Sequence, residues 1–93
     1  MFDVNEYFDG RVKSIAFSSG ADKATVGVMA VGEYEFGTNT IEDMTLVSGK
    51  MSVKLPDESD WRDIQINEMF IVAANTSFLV NIKEEASYLC VYK

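Results

Sequence analysis

The chain has 93 residues, with 15 acidic and 8 basic side chains, no histidine and a formal net charge of −7. A surface of that sign repels nucleic acid and anionic membranes, and no cluster of Lys or Arg offsets it, so neither is an expected partner. A chain of this length makes one domain, residues 1–93, that buries roughly 60–70% of its unfolded surface, so pairing into a homodimer would add useful area.

Residues Met1 to Glu6 have neither the basic nor the apolar region of a secretory signal, and none is expected. Val12, Ser14 and Ala16 then alternate with Arg11, Lys13, Ile15 and Phe17, up to a turn at Ser18–Asp22. The run Ala24–Val31 is β-branched and apolar, with Gly27 marking a bulge or a close backbone approach. A short strand follows from Gly32 to Phe36. Thr45–Val47 and Met51–Leu55 flank Ser48-Gly49-Lys50, which reads as a tight hairpin. Met51, Val53 and Leu55 share a buried face, while Ser52 and Lys54 face water.

Pro56–Asp60 is a polar turn. Trp61–Ile66 and Met69–Ala73 read as strands joined around Asn67-Glu68, and Asn75-Thr76 turns the chain into Phe78, Val80 and Ile82. Lys83–Ala86 reads as a polar turn before a last strand with Tyr88, Cys90 and Tyr92 on one face. About eight or nine evenly spaced strands and no amphipathic helix indicate an all-β sandwich or closed barrel. A lone cysteine, Cys90, cannot form an intramolecular disulfide. No apolar run approaches the ~20 residues of a membrane span. The expected location is the cytoplasm, where thiols stay reduced.

The segment Gly32-Glu33-Tyr34-Glu35-Phe36-Gly37-Thr38-Asn39-Thr40-Ile41-Glu42, then six residues and Gly49, resembles the first motif of the cupin β-barrels. In that family two histidines precede the glutamate and bind a metal with it. Here their places hold Phe36 and Thr38, and the second motif's metal-binding histidine falls on Phe78. One carboxylate, a hydroxyl and two aromatic rings make a poor transition-metal set, so no metal is expected. Asn67 and Ala73 replace a Gly and a Pro of the second motif; Asn tolerates the left-handed backbone that Gly would supply.

Over nearly the whole chain the likeness narrows. Asn5–Ser14, Ala24–Met29, Gly32–Thr38, Glu42–Thr45, Val47–Gly49, Leu55-Pro56 with Trp61, Phe70–Val72 and Tyr88–Tyr92 together resemble the small cupins called pyrimidine/purine nucleoside phosphorylases. The resemblance implies a jelly-roll cupin barrel that cleaves nucleosides with inorganic phosphate and needs no other cofactor. Such a site must hold a phosphate dianion and a planar base, and must stabilise positive charge on the sugar.

Glu42 is the expected catalytic residue, as a ligand of ribose hydroxyls, an electrostatic stabiliser or an acid protonating the base; the alternative is a solvated loop carboxylate. Phe36 and Phe78 are expected to stack on the base, with Tyr34 and Thr38 on the same strand face as Phe36. The alternative for these rings is core filling. Arg11 and Lys13, two apart on one strand, are expected at the phosphate; the alternative is that they are solvated edge charges. Ser18-Ser19-Gly20 could form an anion nest, and Lys50, Lys54 and Arg62 are further cationic candidates. Tyr88 and Tyr92 are expected in the core or at a dimer contact, and Cys90 as an inert thiol. Two other classes compete: a cupin that binds a small planar ligand without turnover, and a metal-dependent isomerase or dioxygenase, which the missing histidines oppose.

Overall fold

A computed structural model describes residues 1–93 as eight antiparallel strands without a helix. They are β1 (Val4–Tyr7), β2 (Val12–Ser19), β3 (Asp22–Met29), β4 (Gly32–Gly37), β5 (Glu42–Lys54), β6 (Arg62–Ile64), β7 (Met69–Val72) and β8 (Ser77–Tyr92). Two long strands organise the rest. β5 and β8 pair antiparallel from Glu42↔Tyr92 to Lys54↔Leu79. The Tyr92 end of β8 also pairs β3, and β3 leads through β2 to β1. The other end of β8 pairs β4. β5 likewise holds β7 near Glu42 and β6 near Val53. The fold is the all-β, cupin-type jelly roll.

The period-2 patterns become an inside and an outside. Val12, Met29, Tyr34, Met44, Leu46, Val53, Phe70, Val72, Phe78, Val80 and Ile82 are buried in one shared core. Their neighbours along the strands, including Lys13, Glu33, Glu35 and Ile71, are exposed. Each large side chain fully withdrawn from water contributes about 1.5–3 kcal/mol against the entropy of ordering the chain. Every buried side-chain nitrogen or oxygen has a hydrogen-bond partner. Ser52 departs from its expected wet face: it is buried beneath β6, and its hydroxyl donates to Asp63 Oδ1 at 2.6 Å.

Two expected turns are instead the middle of the long strands. Ser48-Gly49-Lys50 is an irregularity inside β5, where the β5–β8 register shifts, and Lys83–Ala86 is the stretch of β8 facing it. Gly49 at φ 93° supplies the positive φ that a hairpin would also require, but here it forms a bulge. Lys83, Glu84 and Glu85 are polar because they are exposed where the neighbours of β8 change from β4 to β3. β1 is an additional strand that the sequence patterns do not mark. It is short and mostly exposed, and its turn holds Phe8, Asp9 and Gly10 at positive φ. Asn67 at φ 71° adopts the left-handed conformation expected of it. Gly27 is a close approach, since a Cβ there would lie 2.6 Å from Lys13 O and from the Tyr88 hydroxyl.

The bulge generates a comparison between two substitutions. A Cβ on Gly49 would collide with Glu85 O and lie 2.6 Å from Ala86 Cα, whereas one on Gly20, at φ 63°, meets nothing within 4 Å. Gly20→Ala is expected to lose about 1 kcal/mol, the strain of the left-handed backbone alone. Gly49→Ala should lose at least about 3 kcal/mol, because backbone must move as well. Urea denaturation midpoints check this; equal losses would mean that the bulge relaxes freely.

Candidate active site

The end of the barrel where β5 begins and β8 finishes contains two connected spaces. The inner one, about 210 Å³, is lined by Phe36, Phe78, Met44, Tyr88 and Cys90 among others. The outer one is a groove of about 650 Å³ with Ser18, Lys23, Thr25, Asn39 and Thr40 on its walls. Tyr7, Gly37, Glu42 and Tyr92 line both. The inner space alone falls below the roughly 300–1,000 Å³ of a typical ligand pocket, whereas the outer groove lies within that range.

Strand register explains the shared wall. Residues directly opposite in neighbouring strands point to the same sheet face. Lys23 pairs with Tyr92, and Tyr92 pairs with Glu42, giving one row across β3, β8 and β5. The next row is Thr25, Cys90 and Met44, and the one below it Gly27, Tyr88 and Leu46. Gly27, lacking a side chain, leaves room for the Tyr88 ring.

Glu42 is half-buried. Burial raises its pKa above the ordinary carboxylate value, opposed by a hydrogen bond from Cys90, whose Sγ donates to Oε1 at 3.5 Å. Burial, reinforced by the Glu42 charge, pushes the Cys90 thiol up to about 12. At neutral pH Cys90 is therefore a protonated donor and not a nucleophile. Burial also pushes Tyr88 up to about 12 and raises Tyr92, so both phenols stay neutral. The Tyr92 hydroxyl lies 3.2 Å from Thr25 Oγ1.

The residues named from sequence fall in different places. Phe36 and Phe78 face each other across β4 and β8, with ring centroids 5.8 Å apart, and both line the inner space with Glu42. Tyr34 lines neither space; it is buried, its hydroxyl donates to Ala30 O at 2.7 Å, and its ring packs against Phe8 at 4.9 Å. Thr38 is buried too. Its hydroxyl donates to Ala73 O at 2.7 Å and accepts from Thr76 N at 3.1 Å, tying the end of β4 to the loop before β8.

Arg11 and Lys13 do not reach Glu42. Val12 between them is fully buried, so strand alternation turns both outward, where Lys13 pairs with Glu6 at 3.4 Å and the two share a shallow groove with Val28. Tyr88, expected with Tyr92 in the core or at a dimer contact, is part of the buried core, Tyr92 packs against that core, and both rings also line the inner space. Sequence reasoning also missed Cys90 as the partner of Glu42, Tyr7 on the unmarked β1, and Lys23 in the groove. The shared parity of Tyr88, Cys90 and Tyr92 was a usable signal; the pairing of β8 with both β3 and β5 was not visible locally.

A cupin metal does not fit these residues. No group of three or more Cys, Asp or Glu side chains is placed to hold an ion. The Thr38 hydroxyl is already committed to two backbone partners, and the Cys90 thiol is held in its protonated form. The arrangement suits a planar apolar group inside, a polar group outside, and one carboxylate where they meet.

Comparison with known proteins identifies the family and the fold. The pyrimidine/purine nucleoside phosphorylase family model matches residues 2–92. A pyrimidine/purine nucleoside phosphorylase of Pseudomonas syringae is 54% identical over 93 residues, covering 100% of both chains. A Vibrio parahaemolyticus protein of unknown function has a solved structure with TM-score 0.95 and 42% identity, over 100% of this chain and 99% of that one. The EutQ protein of Salmonella typhimurium, 11% identical with TM-score 0.76 over 99% and 93% of the two chains, shares the fold alone. The chain belongs to the pyrimidine/purine nucleoside phosphorylase family.

Proposed function

We propose that the chain catalyses phosphorolysis of purine and pyrimidine nucleosides at this site, without a metal. The observation that carries the reading is the position of Glu42, the one carboxylate common to the ring-lined inner space and the polar groove. The base stacks inside against Phe36 and Phe78, a mode that tolerates both ring sizes because it uses π-faces and not a fixed hydrogen-bond pattern. The sugar then lies at Glu42. A phosphate oxygen attacks C1′ as the C1′–N bond breaks; the base takes the electron pair and, through solvent, the proton that phosphate loses. The products are free base and pentose 1-phosphate. Ionised Glu42, steadied by Cys90, accepts from ribose hydroxyls and offsets the positive charge that develops on the ring.

The same reading places the protein in the cytoplasm, where Cys90 stays reduced, with nucleosides and phosphate as partners and neither nucleic acid nor membrane. We further infer a homodimer from the outer face of the sheet. On the outer face Val4, Ile15, Val26 and Leu89 form one row across β1, β2, β3 and β8, with Val28 and Val47 exposed beside it. A contiguous aliphatic face on so small a chain suits a self-complementary two-fold interface. Val26→Glu is expected to convert a dimer to a monomer in light scattering after gel filtration. A monomeric parent protein would remove the proposal.

Base release from uridine, cytidine, adenosine, guanosine and inosine should require inorganic phosphate and match pentose 1-phosphate formed. Release without phosphate would mean hydrolysis, and no release by folded protein would leave a binding barrel. Glu42→Gln should reduce kcat/KM by about 10²–10³-fold, the scale of one lost electrostatic stabiliser. In the parent enzyme kcat/KM should fall as pH drops, through an inflection above the ordinary ~4.3 of a glutamate. A rate that rises as Glu42 protonates would assign it the acid role.

Stability should move the other way. A raised folded-state pKa favours the protonated form, so the stabilisation is complete below the unfolded pKa and is lost as pH rises through the folded one. The parent therefore carries a buried charge at pH 7 that Glu42→Gln lacks. The variant should melt higher at pH 7 and match the parent below about pH 4. A lower Tm at pH 7 would show that the carboxylate is a net stabiliser.

A further inference from the structure

A phosphate dianion needs a cation, and in a chain of net charge −7 that cation must be local, since fields decay within ~8 Å at physiological salt. Of the eight basic residues, Lys23 alone lines the groove that Glu42 lines. Lys13, Lys50 and Lys93 are engaged with carboxylates elsewhere, whereas Lys23 has no ion pair. We propose that Lys23 is the phosphate seat of this site, holding inorganic phosphate at the groove end of the row Lys23–Tyr92–Glu42. The assignment rests on the phosphorolysis reading for its substrate, and on strand register for its geometry.

Lys23 and Glu42 are separated by two strand spacings across Tyr92, about 10 Å. That span accommodates a sugar between a phosphate at the ammonium and a carboxylate at the ribose hydroxyls. The order of groups along the row is therefore phosphate, C1′, then Glu42 with the base below it in the inner space. Ser18 pairs with Lys23 on β2 and lines the same groove, so its hydroxyl can donate to the same anion. Thr25 and Tyr92, joined through their hydroxyls, lie on the next positions of the floor. The other carboxylate of the groove is Asp3, which forms no ion pair with Lys23 and leaves the ammonium free. Asp22 and Asp43, adjacent in sequence to Lys23 and Glu42, have the opposite strand parity and share Lys93 on the outer face. An ammonium on a flexible stem gives three donors to a phosphate that must approach and depart as a substrate.

Lys23→Gln and Lys23→Arg, checked for folding by circular dichroism and thermal melting, test the assignment beside an Arg11→Ala/Lys13→Ala double variant. Lys23→Gln should raise the phosphate KM about tenfold or more, the scale of one lost charge-assisted contact, with nucleoside KM nearly unchanged. Lys23→Arg should keep most of the phosphate affinity. Calorimetric titration of the nucleoside-free protein with inorganic phosphate should show the same loss without reference to turnover. A parent enzyme that turns over, with Lys23→Gln unaltered in phosphate KM and binding, overturns Lys23 and leaves the phosphorylase reading intact. An effect confined to the Arg11/Lys13 variant also overturns it. A parent without phosphate-dependent turnover whose calorimetric phosphate binding is lost in Lys23→Gln overturns the reaction and keeps the anion site.

Discussion

β5 and β8 run side by side through the whole molecule, and β3, β4, β6 and β7 each hydrogen-bond to one of them. Their pairing fixes which residues share a face at every level of the barrel. Because the pair is antiparallel, the first residue of β5 meets the last of β8, so Glu42 lies beside Tyr92 and its neighbour Cys90. The site is thus a product of register. A slip of one residue would turn Glu42 to solvent and Asp43 inward. The Gly49 bulge absorbs the irregularity that lets both ends of the pair keep their own registers.

Glu42 illustrates a tension between folding and chemistry. A carboxylate removed from water is held at an energetic disadvantage unless its charge is answered by hydrogen bonds or an opposite charge. Here one weak donor, the Cys90 thiol, answers one oxygen. No basic residue forms an ion pair with Glu42. An Arg partner would relieve the burial and also neutralise the charge that a cationic sugar transition state needs. The phenols of Tyr88 and Tyr92 stay protonated around it, so its immediate neighbours are neutral dipoles and its charge is the one that both spaces share. That is the electrostatic arrangement expected where positive charge develops during reaction.

Much of this was legible in the sequence where a local pattern and the final environment coincide. Alternation along Gly32–Phe36 and Phe78–Ile82 put Phe36 and Phe78 on the inner face, and Asn67 indicated a left-handed turn. The errors share one cause: a local signal with two meanings. A Gly between Ser and Lys is compatible with a hairpin or a bulge, and three consecutive charges suit a turn or an exposed bend in a long strand. What separates them is the partner strand, which is distant in sequence. Arg11 and Lys13 were attractive as a cationic pair, yet the buried Val12 between them already required both to face out. Lys23 gave no motif at all, because its meaning comes from Tyr92, its ladder partner near the far end of the chain.

The place of β8 in the strand order also bears on how the chain acquires its structure. The hairpin of β1 with β2 and that of β2 with β3 involve near neighbours and can form early. β3, β4 and β5 each need β8, which follows all of them along the chain. Until residues 77–92 leave the ribosome, β4 has no lateral partner, β3 has only β2, and β5 has only β6 and β7. Closure of the barrel is therefore a late, long-range event, of the kind that makes β-rich chains slow to fold. The ring-lined cavity and its carboxylate come into existence together in that final step, so a partly folded chain has no fragment of the site with which to bind a nucleoside.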